Sequence, residues 1–252
     1  MKRALCIGIN DYPGIENDLS GCRNDAEDWT AELTARGFEV RKLLDSAASG
    51  AAIRAGIREL LTTAGPDDAV VITYSGHGTW VPDGDGDEPD HRDEALCPHD
   101  IAENGPLLDD ELHALFAEAA DGVRTVLISD SCHSGTLTRS TPKPGTRFLP
   151  PSAFLRMPPT EAAPPTLRAK PPSKALLLSG CKDAEYSYDA TFDGRPNGAF
   201  TYVALESLRA LPEDATYRDW LRSIRRSLPS EAYPQSPALQ ATSTQNLWPL
   251  LG

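Results

Sequence analysis

The sequence predicts an α/β protein built on a mostly parallel sheet with helices on both faces. Two observations carry this. Three apolar runs of strand length, at residues 4–9, 38–44 and 69–74, alternate with two stretches of helical periodicity. Strand, helix, strand, helix, strand is the pattern of a parallel sheet covered on both sides. A fourth apolar run, 124–129, follows a further helical stretch.

Each element has its own warrant. Residues 4–9 are continuously apolar, as a strand buried on both faces must be. The helix expected from Ser20 to Arg36 is closed by Gly37, a residue free to take the left-handed turn after a helix. Ser49 is placed to cap a helix whose apolar positions Ile53, Ile57, Leu60 and Leu61 share one face, and Gly65-Pro66 stops it. Residues 108–120 form the next helix, with Leu112, Leu115 and Phe116 on one side. From 139 to 174 the chain changes character and holds nearly half of its 22 prolines. Such a stretch reads as an exposed, flexible or polyproline-like linker. A strand at 175–179 follows, then helices at about 198–210 and 216–228, and the end from Tyr233 reads as irregular. One strand cannot close a core by itself, so the last part is expected to complete the first part's sheet. The expected organisation is one domain, 1–252: a large region 1–138, a linker 139–174 and a small region 175–252.

Composition narrows the function. The formal net charge of −13 argues against nucleic acid and anionic membrane as partners. Five widely spaced cysteines without a CxxC argue against a disulfide framework or zinc site, and for a reducing, cytoplasmic setting. Cys97, His99, Cys132 and His133 match no zinc spacing. No run approaches transmembrane length. The acidic stretch 83–94 lacks the glycine that an EF-hand loop requires at its sixth position, which is Glu88.

Two strand ends carry chemistry. The run 69–74 leads into Ser75-Gly76-His77-Gly78, and 124–129 leads into Asp130-Ser131-Cys132-His133-Ser134-Gly135. Open α/β sheets present functional groups at such carboxyl ends. A cysteine there, among small residues and with a histidine at a second strand end, reads as a nucleophile rather than a core thiol. Cys6, Cys97 and Cys181 read as core residues. His77 would take the thiol proton and return it to a leaving amine. No residue in the sequence can be assigned to orient His77. Asp130, two before Cys132, shares its side of the strand and is a poor core residue but a good cation ligand.

These motifs, with Gly21-Cys22-Arg23-Asn24-Asp25-Ala26, Asp109-Asp110-Glu111-Leu112, Ser179-Gly180-Cys181-Lys182-Asp183 and Gly198-Ala199-Phe200-Thr201-Tyr202 in the same order, resemble the metacaspases and bacterial orthocaspases over most of the chain. The resemblance implies a caspase-like sheet and a cysteine endopeptidase cutting after Arg or Lys. It implies Gly78 and Cys132 backbone N–H groups as oxyanion donors, and a primary pocket of Asp130, Asp25, Ser75 and Cys22. It implies calcium ligands at Asp93, Asp109 and Asp110, but the fourth family ligand is replaced by Arg139. Calcium is therefore expected to be dispensable, with no cofactor required. His133 is expected to point away from the reaction. Arg147 and Arg156 are expected self-processing sites in the linker. The expected partners are peptides with a basic P1 residue, and a monomer is expected. Two other readings stay open: a thiol peptidase with Asp or Asn at P1, and a silent caspase-like scaffold.

Overall fold

A computed structural model describes residues 1–84, 91–132, 145–155, 173–182 and 185–252. The chain runs β1 (Lys2–Gly8), α1 (Cys22–Ala35), β2 (Glu39–Leu44), α2 (Gly50–Thr63), β3 (Ala69–Ser75), β4 (Gly78–Pro82), β5 (Arg92–Leu96), α3 (Ile101–Asn104), β6 (Leu107–Leu108), α4 (Asp109–Ala117) and β7 (Arg124–Asp130). It continues through β8 (Ala175–Ser179), β9 (Asp189–Phe192), β10 (Arg195–Gly198), α5 (Ala199–Arg209), α6 (Tyr217–Ile224) and β11 (Ala238–Gln240).

Six strands form the central sheet in the order β11-β8-β7-β3-β1-β2. All its pairings are parallel except that of β11 with β8. The alternation of side chains along a strand divides the core in two. On β1, Leu5 and Ile7 enter one cluster with Ile53, Ile57 and Leu61 of α2 and Leu112, Leu115 and Phe116 of α4. Ala4 and Cys6 enter the other, with Trp29 and Leu33 of α1, Phe200 and Leu205 of α5, and Trp220 of α6. Burying each large side chain contributes roughly 1.5–3 kcal/mol. Trp29 and Trp220 meet edge to face at 6.0 Å and tie α1 to α6.

The Ser49 cap is present, its side chain accepting from the Ala52 N–H at 3.2 Å. Three readings need correction. The C-terminal stretch is not wholly irregular: β11 closes one sheet edge, too short a strand to show a period. The hairpins β4–β5 and β9–β10 were not foreseen, because their alternation is weak and polar. The linker is not simply exposed: residues 145–149 run through the protein, with Phe148 and Leu149 buried and Arg147 0% exposed. Among the described residues no helix is long and apolar enough to cross a membrane.

Candidate active site

Parallel pairing in register brings the two strand ends together. Ser75 of β3 stands opposite Asp130 of β7, so His77 and Cys132 leave the sheet side by side. Both are buried. Tyr12 and Tyr74 fix the histidine's backbone: the His77 N–H donates to the Tyr12 hydroxyl at 2.9 Å, and the Tyr74 hydroxyl donates to the His77 carbonyl at 2.7 Å. Gly76 must be glycine, since a Cβ there would lie 2.5 Å from the Tyr12 oxygen.

The imidazole Nε2 lies 2.7 Å from the carbonyl oxygen of Asn17. A carbonyl only accepts, so Nε2 carries the proton and Nδ1 is the basic nitrogen. Nδ1 is buried without a hydrogen-bond partner among the described residues. The group that orients His77 is thus a backbone carbonyl, invisible to a search for a third side chain. Burial lowers the His77 pKa to about 4; the Asn17 carbonyl opposes that, and the Arg147 guanidinium adds to it. An unfolded chain would take up this proton near 6.5, whereas the folded one resists until about 4. The histidine's contribution to stability is therefore complete above the unfolded value and is lost as pH falls through that window. Thermal melts at about pH 7 and about pH 4.5 should show a smaller acid loss for His77→Gln than for wild type; parallel losses would contradict this.

The surroundings of Cys132 are occupied by the chain itself. The Arg147 carbonyl accepts from the N–H of Gly78 at 3.0 Å and of Cys132 at 3.1 Å, the pair named as oxyanion donors. The Ser187 N–H reaches the Cys132 Sγ at 2.6 Å, and the Ser187 carbonyl accepts from the Arg147 N–H at 2.9 Å. One residue pair further on, the Asp189 N–H donates to the Gly145 carbonyl at 2.7 Å, and Thr146 bridges Tyr188 in antiparallel sense. Residues 145–147 therefore lie as an added strand along 187–189.

The Arg147 side chain fills a closed acidic pocket. Its Nη2 meets the Asp25 Oδ2 at 2.6 Å and the Asp189 Oδ1 at 3.0 Å, and its Nη1 meets the Asp130 Oδ2 at 3.0 Å. The carboxylates are themselves held. Asp130 accepts from the Thr201 N–H and hydroxyl at 3.0 and 2.8 Å and from the Ser187 hydroxyl. Asp25 accepts from the Gly198 N–H and the Asn197 amide, and Asp189 from the N–H groups of Ser20 and Gly21. Burial raises the Asp25 pKa to about 6, with Arg147 opposing. Gly198 leaves the room: a Cβ there would lie 2.1 Å from the Asp130 carboxylate. Cys22 and Ser75 are buried as well, and burial holds the Cys22 thiol pKa well above its ordinary value, against the pull of Arg147. Asp189 was missed in the sequence, having no motif around it. Cys181 is buried, as a core thiol should be, in the small apolar cluster that also holds Cys132.

The proposed metal residues lie elsewhere, where β5 meets the start of α4. Burial raises the Asp93 pKa to about 6, and the charges of Asp83, Asp109 and Asp110 add to the rise. Among the described residues the buried Asp93 Oδ1 has no hydrogen-bond partner. Even so, among the described residues no three acidic, histidine or cysteine side chains converge as a ready ligand set. His133, Arg139 and Arg156 lie outside the described residues.

Comparisons agree with this architecture. The caspase domain family matches residues 1–248. Metacaspase-1 of Cryptococcus neoformans is 33% identical over 96% of this chain, which spans 62% of that protein. Metacaspase-1 of Pyricularia oryzae is 31% identical over 98% of the chain and 74% of that protein. A crystal structure of a protein from Geobacter sulfurreducens superposes with a TM-score of 0.76 at 30% identity, covering 99% of this chain and 98% of that one. A fold of this layout, matched over nearly its whole length, places the chain in the caspase-domain peptidase family.

Proposed function

We propose that the chain is a cysteine endopeptidase that cuts after Arg, and less well after Lys, and that its own Arg147–Phe148 bond is its first substrate. The observation that carries this is the seating of Arg147. Its side chain lies among three carboxylates while its carbonyl points at two backbone N–H donors beside Cys132.

The chemistry follows from the positions. His77 Nδ1 takes the Cys132 proton, and the thiolate attacks the carbonyl carbon. The Gly78 and Cys132 N–H groups hold the negative oxygen that forms. The intermediate collapses with cleavage of the C–N bond, and the imidazolium protonates the leaving amine. Water, deprotonated by His77, then hydrolyses the thioester and frees the thiol. Arg suits the pocket better than Lys because two guanidinium nitrogens reach different carboxylates, which one ammonium cannot copy. A P1 Asp would bring a fourth carboxylate among three.

The hydrolysis in this reading needs no cofactor. Asp83, Asp93, Asp109 and Asp110 would bind a hard cation such as calcium only after rearranging. The partners are peptides with a basic P1 residue. The charge of −13 and the five free cysteines favour a cytoplasmic setting without nucleic acid or membrane.

Intact-mass spectrometry tests the self-processing. Wild type should yield two fragments separating after Arg147, and Cys132→Ala and Arg147→Ala should each stay uncut at that bond. A wild-type chain that remains whole after prolonged incubation, or a Cys132→Ala chain cut at the same bond, would overturn it.

A further inference from the structure

Beyond the Arg147–Phe148 bond the chain still holds its own segment tightly. Gly78 grips the two peptide units that flank Phe148: its N–H donates to the Arg147 carbonyl at 3.0 Å, and its carbonyl accepts from the Leu149 N–H at 2.9 Å. This is a parallel bridge around Phe148, and it fixes the direction of the Phe148 side chain. That ring is 7% exposed and shares one apolar cluster with Cys132, Cys181 and Tyr186, against which Trp80 and Tyr188 pack. The rings of Phe148 and Tyr186 are 6.1 Å apart and tilted by 57°, a favourable aromatic contact. Trp80 is itself covered by the Arg92 guanidinium, 4.2 Å from its ring centre. Leu149 is 1% exposed and belongs to the core cluster that includes Leu96, Leu107 and Leu112.

We infer that the enzyme has a primed-side recognition site, with an aromatic S1′ subsite walled by Tyr186, Cys181 and Trp80 and an apolar S2′ subsite beside β4. The inference rests on the reading of Arg147–Phe148 as a seated substrate bond. Substrates would be selected by a basic P1 residue followed by a large apolar residue. A P1′ Asp side chain would have to give up its water to enter that apolar cluster, which is costly.

The test compares internally quenched peptides that share P1 Arg and differ only at P1′ as Phe, Ala or Asp, beside an arginyl-coumarin amide that has no primed residue. The full chain is used. The value of kcat/KM with P1′ Phe should exceed that with Asp by at least about tenfold, the scale on which apolar pockets discriminate. Tyr186→Ala should reduce the Phe-to-Ala ratio several-fold, and Tyr186→Phe should retain it. The ratio is taken within one protein, so loss of folded enzyme does not move it. Equal rates for all P1′ residues, with the coumarin amide hydrolysed, would overturn the subsite and leave the P1 reading standing. Resistance of every arginyl substrate, with other P1 residues cut, would overturn both.

Discussion

Cys132→Ala and His77→Ala should each lower kcat/KM on an arginyl peptide by at least about 10³-fold, because members of one catalytic unit fail together. Most of the recognition survives in both proteins. The proposed oxyanion donors are backbone groups of Gly78 and Cys132, which side-chain truncation does not remove. The three carboxylates of the acidic pocket are paired to the Arg147 guanidinium and held by groups other than the thiol and the imidazole. Substrate binding should thus persist while turnover is lost, and melting temperatures near wild type would show that the fold is kept. Near-native turnover by either variant would refute the assignment of the pair.

The second large effect concerns specificity. Arginyl substrates should be cut at least about 100-fold faster than otherwise identical aspartyl ones. Asp130→Asn should lose a similar factor on arginine, since truncating a partner of a buried charge pair costs roughly 2–5 kcal/mol. Asn is preferred to Ala here because Asp130 also accepts from Thr201 and Ser187, and its amide oxygen can retain part of that support. Alkylation of Cys132 by iodoacetamide separates the outcomes. A variant with a reactive thiol but little arginyl hydrolysis has lost recognition and kept its nucleophile. Equal cleavage after Arg and Asp by wild type would sink the acidic-pocket argument.

The sequence made one part of this site legible and concealed the rest for physical reasons. Strand ends are visible because buried strands are apolar runs, so Cys132, His77 and Asp130 stand out where those runs stop. Asp25 was nameable through a motif, and the structure places it on Arg147. Asp189 arrives at the start of a short polar hairpin that nothing in the local pattern announces. The Asn17 carbonyl is a backbone group that any residue would supply. The seating of Arg147 was concealed most deeply. Proline-rich composition says that a segment forms no helix or strand of its own, yet Gly145–Leu149 takes its hydrogen bonds from other strands.

That borrowed pairing has a consequence for what the enzyme can attack. Before the proposed scissile bond Thr146 pairs with Tyr188, and after it Phe148 pairs with Gly78, so the segment's backbone groups are taken up by two separate edges. A target in a helix or an interior strand already spends those N–H and C=O groups on its own structure. It must first come apart locally, and the free energy of that opening adds to the barrier seen by the protease. Cleavage rates across folded proteins should then follow the stability of the region around each basic residue. A perfect P1–P1′ sequence in a rigid helix would be spared, while the same sequence in a frayed terminus or long loop would be cut.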